Sequence, residues 1–139
     1  MADSALFLDT AYIYALFNTR DQWHAAAVEW EGKIAAENLS LLTTQFVLTE
    51  VANGLSALKF RRNVAEIIRA LQESAFVEII DASPDLFHRS LILYEQRQDK
   101  SWGLTDCASF IVMKENNISE ALTADEHFRQ AGFKALLLS

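Results

Sequence analysis

Short apolar runs alternate with longer segments whose apolar residues recur at helical spacing, and this alternation constrains the fold more than any other feature. The runs show little of the polar–apolar alternation of half-exposed strands, so they read as strands buried on both faces. They cover residues 5–9, 39–44, 76–81, 118–124 and 133–138. Strands separated by helices form parallel sheets. The pattern predicts an α/β fold, a three-layer α/β/α sandwich around a central, mainly parallel sheet of about five strands.

About six or seven helices connect these strands. The predicted segments are 10–18, 22–38, 45–58, 64–75, 84–98, 104–117 and 125–132. Asp21 is the expected N-cap of the second helix, residues 59–63 read as a polar turn, and Gly132 closes the last helix. The chain has one proline, four glycines and no linker or repeat, so residues 1–139 are interpreted as a single domain.

Composition excludes several classes of protein. The net charge of −7 argues against general electrostatic binding to nucleic acid, although bound cations could offset clustered acids. No apolar stretch reaches the 18 residues of a membrane span, and the N-terminus lacks the pattern of a secretion signal. A single cysteine, Cys107, cannot form an internal disulfide. We therefore expect a cytoplasmic protein with no membrane association.

Four acidic residues fall where an α/β protein places its site, outside the carboxyl ends of the strands. Asp9 ends the first strand and Asp125 directly follows the fourth. Glu50 lies in the helix after the second strand, among apolar neighbours and one turn before Gly54. Asp106 begins a largely apolar helix. The four carboxylates are therefore predicted to converge.

Each acid also has a simpler interpretation. Asp9, Asp106 and Asp125 could cap helices, and Glu50 could be a tolerated residue at a helix edge. If the four do meet, their charges repel and their pKa values rise unless a cation lies between them. Oxygen donors suit Mg²⁺ or Mn²⁺.

Four segments of the sequence resemble the PIN-domain family, and in particular its VapC-like toxins. They are "FLDTAYIYAL", "TTQFVLTEVANGL", "GLTDCASFIVMKENNI" and "ALTADEHFRQAGF", in the family's order and over almost the whole chain. The resemblance implies a PIN-like fold and an endoribonuclease that uses Mg²⁺ or Mn²⁺. The implied reaction is hydrolysis of an RNA phosphodiester, with the 3′ oxygen leaving and a 5′-phosphate remaining.

The resemblance also assigns roles to residues. Asp9 and Asp106 would be the main metal ligands, Glu50 would join them directly or by orienting water, and Asp125 would be the fourth catalytic acid. Thr10 and Thr123 would be hydrogen-bonding neighbours of the site. As a VapC-like protein, the chain would be the toxin of a type II toxin–antitoxin pair, inhibited by a cognate antitoxin, and a homodimer. The alternative is a non-catalytic PIN-like module that binds protein or nucleic acid.

Basic residues near the predicted site could bind RNA phosphates. Lys59 and Arg61 lie in the polar turn, and Lys100 precedes the Asp106 helix. Each could equally be a solvated surface residue.

Aromatic, histidine and cysteine residues leave further alternatives. Trp23 and Trp30 share one helix face and fit either core packing or a protein interface, and Trp102 could pack or stack on a base. The three histidines show no ligand spacing, so none is predicted to bind the metal. Cys107 is interpreted as a small apolar core residue.

Overall fold

A computed structural model describes residues 5–138. Its centre is a five-stranded sheet in the order β3-β2-β1-β4-β5, in which every neighbouring pair is parallel. The strands are β1 Leu6–Leu8, β2 Leu41–Thr44, β3 Val77–Ile80, β4 Glu120–Leu122 and β5 Lys134–Ala135. The predicted parallel α/β/α architecture is confirmed.

Seven α-helices accompany the sheet within the described residues. They are α1 Thr10–Phe17, α2 His24–Glu37, α3 Gln45–Gly54, α4 Leu58–Glu73, α5 Pro84–Gln96, α6 Leu104–Glu115 and α7 Glu126–Gln130. A 3₁₀ turn, Leu136–Leu138, follows β5. Each predicted helix and strand exists, and the differences concern where they begin and end.

The predicted polar turn at residues 59–63 is wrong, because this segment forms the first two turns of α4. No glycine or proline interrupts residues 58–73. Phe60 packs against the core and Val64 is buried one turn later, so the helical apolar face already includes the basic segment. The helical segment is interrupted earlier in the sequence, after Gly54, where α3 ends.

Two other predicted ends are also wrong. Asp21 is not the N-cap of α2, because the helix begins at His24. The Asp21 carboxylate instead accepts the Trp23 backbone N–H at 2.7 Å, which makes a turn just before the helix. The last strand pairs only at Lys134 and Ala135, and the three leucines after them turn into a 3₁₀ helix.

The core lies where the middle strands meet the helices. All three residues of β1 and all four of β2 are buried, whereas the edge strand β3 is half-exposed. The helix α6 is buried along most of its length, as its apolar composition predicts. In the part of the chain that the structure describes, none of the helices has the length and apolarity to cross a bilayer. Residues 1–4, on which the prediction about a secretion signal partly depends, lie outside the described residues.

Candidate metal centre and active site

Strand order brings the two ends of the chain together at the candidate site. β1 pairs with β4 in a register that aligns Leu8 with Leu122, so Asp9 and Thr123 leave the sheet side by side. The Thr123 hydroxyl donates a hydrogen bond to the Asp9 carboxylate at 2.7 Å. Thr123 therefore lies in the site, as expected, and its contact is with an acid.

Helix capping does not explain Asp9. The residue occupies the N-cap position of α1, yet its side chain makes no cap hydrogen bond to that helix. It is only 4% exposed. Burial raises the pKa of Asp9 to about 7; the Thr123 hydrogen bond opposes this rise, and the negative charge of Asp106 adds to it. A cation beside this carboxylate would favour its ionised form.

Asp125 caps a helix and also belongs, with Asp9 and Asp106, to what we call the acidic cluster. Its backbone N–H donates to the Thr123 hydroxyl at 3.0 Å, which ties it to the residue that holds Asp9. One of its carboxylate oxygens accepts the backbone N–H of His127 at 2.8 Å and so caps α7. The capping interpretation is confirmed for Asp125, and it accounts for one carboxylate oxygen.

Asp106 enters the cluster from the first turn of α6. One carboxylate oxygen, Oδ2, accepts the Gly103 backbone N–H at 3.1 Å and lies 2.9 Å from Nδ1 of His127. Burial raises the pKa of Asp106, and the hydrogen bond with His127 counteracts that rise. Asp106 thus accepts a hydrogen bond at the start of α6 and also contacts His127 in the acidic cluster.

His127 is the residue that the sequence interpretation missed. Its Nδ1 lies 2.9 Å from Asp106 and 3.4 Å from Asp125, and its Nε2 lies 3.3 Å from the Ser101 hydroxyl. Ligand atoms of Asp106, Asp125 and His127 all lie within 4.8 Å of one another. The signal was present in "ADEHF", because a cap at Asp125 folds the chain back and places the residue two positions later beside the cap.

Glu50 is the predicted acid that the structure does not bring into this group. Its side chain is exposed. Its backbone carbonyl accepts a hydrogen bond from the Tyr14 hydroxyl at 3.0 Å. Burial raises the pKa of Tyr14, and the charges of both Glu50 and Asp9 add to this, so Tyr14 lies within the field of both acids. The space left by Gly54 is taken by the Tyr14 ring.

Thr10 supplies an unpaired hydroxyl next to Asp9. The side chain is 4% exposed, and its Oγ1 has no hydrogen-bond partner among the described residues. A buried polar atom without a partner is destabilising unless a ligand or water satisfies it. The orphaned hydroxyl therefore fits a site that completes its contacts with a bound group.

The predicted basic residues divide into two groups. Lys100 is half-buried and, with Arg97, Ser101 and Trp102, lines a cavity of about 570 Å³. Ser101 joins this cavity to His127.

Lys59 and Arg61 lie exposed in the first turn of α4. There Lys59 covers the Phe60 ring and Arg61 donates to the Ser56 carbonyl at 3.1 Å. Neither has a contact with the acidic cluster among the described residues.

The remaining aromatic and sulfur residues pack in the core. Trp102 is buried edge-on against Phe110, and its indole N–H donates to Gln130, so the packing interpretation is confirmed. Trp23 and Trp30 are half-buried against the core, which agrees with packing. Cys107 is fully buried and burial raises its pKa to about 11, which leaves a protonated apolar thiol as interpreted.

The donor set fits a divalent cation. Asp106, Asp125 and His127 hold ligand atoms within 4.8 Å of one another, and Asp9 is linked to them through Thr123 and by its electrostatic coupling to both acids. Among residues 5–138, no lysine or arginine forms an ion pair with Asp9, Asp106 or Asp125. A bound divalent cation would neutralise these charges and favour the ionised form of Asp9. Asp9, Asp106, Asp125 and His127 are the residues able to hold it.

Comparisons with known proteins agree with this geometry. The 23S rRNA-specific endonuclease VapC20 of Mycobacterium tuberculosis, in strains CDC 1551 and H37Rv, is 26% identical over 129 residues, which cover 92% of this chain and 95% of VapC20. The crystal structure of VapC20, described as a sarcin-ricin loop cleaving toxin, superposes with a TM-score of 0.78 at 25% identity and covers 93% of this chain and 96% of that one. The PIN domain family model matches residues 6–134, so the chain belongs to the PIN domain family.

Proposed function

We propose that this protein is a divalent-metal-dependent endoribonuclease that hydrolyses RNA phosphodiester bonds, with Mg²⁺ or Mn²⁺ as cofactor. The observation that carries the proposal is a group of ligand atoms from Asp106, Asp125 and His127 within 4.8 Å of one another, with the buried Asp9 in the electrostatic field of both acids. The relatives named as VapC20 endonucleases support the reaction class.

Each residue has a defined task in this reaction. Asp9 and Asp106 would hold the ion, and Asp125 would complete the set of ligands. Thr123 fixes the orientation of the Asp9 carboxylate through its 2.7 Å hydrogen bond. The burial of Asp9 excludes water from one side of the site. The ion, when bound, activates a water and neutralises charge on the phosphate and the leaving oxygen.

Glu50 acts at the outer edge of the site in this proposal. Its carboxylate is exposed and belongs to the same electrostatic environment as Asp9, because both raise the pKa of Tyr14. An exposed acid here can orient a water or an incoming substrate without being fixed to the cluster.

RNA phosphates would bind beside the ion. The cavity of Lys100 and Arg97 opens next to Ser101, which contacts His127, so these cations flank the proposed scissile position. Lys59 and Arg61 lie at the start of α4, a helix of about 24 Å that runs back to the sheet edge where β3 begins. We infer that its first turn faces the opposite, carboxyl edge and extends the phosphate-binding surface.

As a VapC-like toxin, the protein would be inhibited by a cognate antitoxin, and an apolar cavity supports this part of the proposal. A cavity of about 890 Å³ with a mostly apolar lining lies between α1, α2 and α4, and Glu31 and Glu66 also line it. We assign it to an amphipathic segment of a cognate antitoxin, with apolar residues for the cavity and basic residues for the two glutamates.

The decisive experiment compares RNA cleavage by the wild-type protein with cleavage by Asp9→Asn and Asp106→Asn, in Mn²⁺ and in EDTA. Both substitutions preserve the shape and a hydrogen-bond acceptor but remove a charged ligand. We expect a fall in cleavage of more than about 100-fold, since losing even an outer-shell partner of a ligand typically costs 10–100-fold. Asp85→Asn, an exposed acid on α5, is the matched control and should retain full activity.

Thermal unfolding and RNA-end sequencing complete the test. Mn²⁺ should raise the melting temperature of the wild-type protein by mass action, and this shift should be lost in Asp106→Asn. Sequencing RNA ends after induction should show 5′-phosphate ends that depend on Asp106. Full activity of both mutants would contradict the proposal. Unchanged RNA ends together with RNA or protein binding would instead support the non-catalytic binding module.

A further inference from the structure

The imidazole of His127 gives the proposed metal centre a nitrogen donor in addition to its carboxylates. Its Nδ1 faces two of the acids, at 2.9 Å from Asp106 and 3.4 Å from Asp125. Two constraints hold the ring there: the His127 backbone N–H is bound by the Asp125 side chain, and its Nε2 contacts Ser101. The ring is therefore positioned from both ends before any ion binds.

The separations between these donor atoms suit ligands of one ion. Ligand atoms in adjacent positions of an octahedral ion, with bonds of about 2.1–2.2 Å, lie about 3 Å apart. The two separations from Nδ1 are close to that value, and the whole group stays within 4.8 Å. The same atoms can therefore bind a common cation with small movements.

We propose that His127 is a metal ligand through Nδ1, so that this centre is a mixed nitrogen–oxygen site that prefers Mn²⁺ to Mg²⁺. The inference rests on the proposed function, since it concerns the same ion. Imidazole is a donor that transition metals accept, whereas Mg²⁺ favours oxygen ligands and retains water. Replacing one oxygen donor by nitrogen thus shifts the preference between the two ions.

Ser101 allows the imidazole to change tautomer without losing its outer hydrogen bond. In the tautomer with its proton on Nδ1, the ring would donate to Asp106 and accept from the Ser101 hydroxyl at Nε2. As a metal ligand, Nδ1 would present its lone pair, and the tautomer with its proton on Nε2 would donate to the Ser101 oxygen. A hydroxyl serves both arrangements because it donates and accepts, and the 3.3 Å contact is already in place.

Pulsed electron paramagnetic resonance of the Mn²⁺-loaded full chain tests this directly. The wild-type protein should show electron spin echo modulation from a coordinated ¹⁴N nucleus, and His127→Gln should lose it. His88→Gln is the control, because His88 is exposed on α5. It should retain the nitrogen signal. Circular dichroism confirms that both variants are folded.

Binding measurements without RNA give a second readout. The ratio of the Mg²⁺ to the Mn²⁺ dissociation constant should fall about 10-fold or more in His127→Gln and stay unchanged in His88→Gln. Mn²⁺ binding without nitrogen modulation, with both ions weakened equally in His127→Gln, would make His127 only a hydrogen-bonding partner of Asp106 and overturn the inference. Wild-type protein that binds no Mn²⁺ would instead contradict the metal-dependent function itself.

Discussion

Asp9 shows how a single residue can be costly for folding and still be retained. The carboxylate is buried, and its pKa of about 7 compares with 3.8 for an ordinary aspartate. Because the folded pKa is higher than the unfolded one, the unfolded chain releases this proton first as the pH rises. In the absence of metal, stability is therefore lost between about pH 4 and pH 7, and the loss is complete above the folded pKa.

Because the ionised Asp9 carboxylate destabilises the folded state, we predict that Asp9→Asn stabilises the metal-free protein at neutral pH. Asparagine can still accept the Thr123 hydrogen bond, and it has no charge to bury. In EDTA, the stability gain over wild type should grow from pH 5 to pH 8 and then level off at a few kcal/mol, at about 1.4 kcal/mol for each unit of pKa shift. Urea unfolding at several pH values measures it. A difference that does not change with pH would show that the Asp9 carboxyl is not desolvated.

At the same scale, the sequence predicted the acids better than the histidine. Asp9 and Asp125 follow buried strands, and the ends of parallel strands share an edge, so their meeting follows from the fold class. The position of the His127 side chain depends on the turn that the Asp125 cap makes and on how α7 packs against α6. The spacing of apolar residues in the sequence carries no information on either. Glu50 lies in the helix α3, away from the end of β2. Its apolar neighbours in the sequence gave no indication that the Tyr14 ring fills the space beside Gly54.

At the scale of elements, the contact between α1 and α3 depends on a missing side chain. A Cβ at Gly54 would lie 1.7 Å from the Tyr14 hydroxyl oxygen, inside van der Waals contact. That hydroxyl is held by its hydrogen bond to the Glu50 carbonyl, so the ring must move if the position is filled.

Two glycine-to-alanine substitutions should therefore have opposite effects. Gly54→Ala should destabilise the protein by about 1–3 kcal/mol, the usual cost of overpacking. Gly32→Ala is the matched control: Gly32 lies inside α2, and a Cβ added there would meet no atom within 4 Å, so alanine should stabilise the helix by about 0.5–1 kcal/mol. Melting temperatures that rise for both variants would show that the Tyr14 ring can move aside at no cost in stability.

The start of α4 shows where sequence patterns lose information about elements. The basic segment at residues 59–63 is polar enough to suggest a turn, yet Phe60 and Val64 hold it on the core. Two apolar residues one turn apart are a weak periodic signal when cations surround them. The start of α4 at Leu58 is therefore set by tertiary packing and not by local composition.

At the scale of the whole molecule, an apolar surface remains after the core and the site are assigned. The helix α5 exposes four large side chains: Phe87, Leu91, Ile92 and Tyr94 are 41–50% exposed. Phe87, Leu91 and Tyr94 follow each other at helical spacing, so they form one stripe. Leu91 and Tyr94 also line the cavity of Lys100, and we propose the stripe as the contact of a homodimer that borders this cavity, in place of the half-buried tryptophans of α2.

Leu91→Glu should therefore disrupt the dimer. A charge in the middle of an apolar interface is left desolvated and unpaired. Light scattering should give the wild-type protein about twice the 15.7 kDa of one chain and the variant about one chain's mass. Leu58→Glu is the control, because Leu58 is 90% exposed on another helix. Equal masses for wild type and Leu91→Glu would contradict the assignment.

The bond between Thr123 and Asp9 joins residues 114 positions apart in the sequence. During synthesis, the first strand leaves the ribosome long before the segment that completes the acidic cluster. A nascent or prematurely released chain that stops short of residue 123 has Asp9 without Thr123, Asp125 and His127 and cannot assemble the centre. The proposed nuclease therefore gains its complete set of site residues only after translation has passed residue 127.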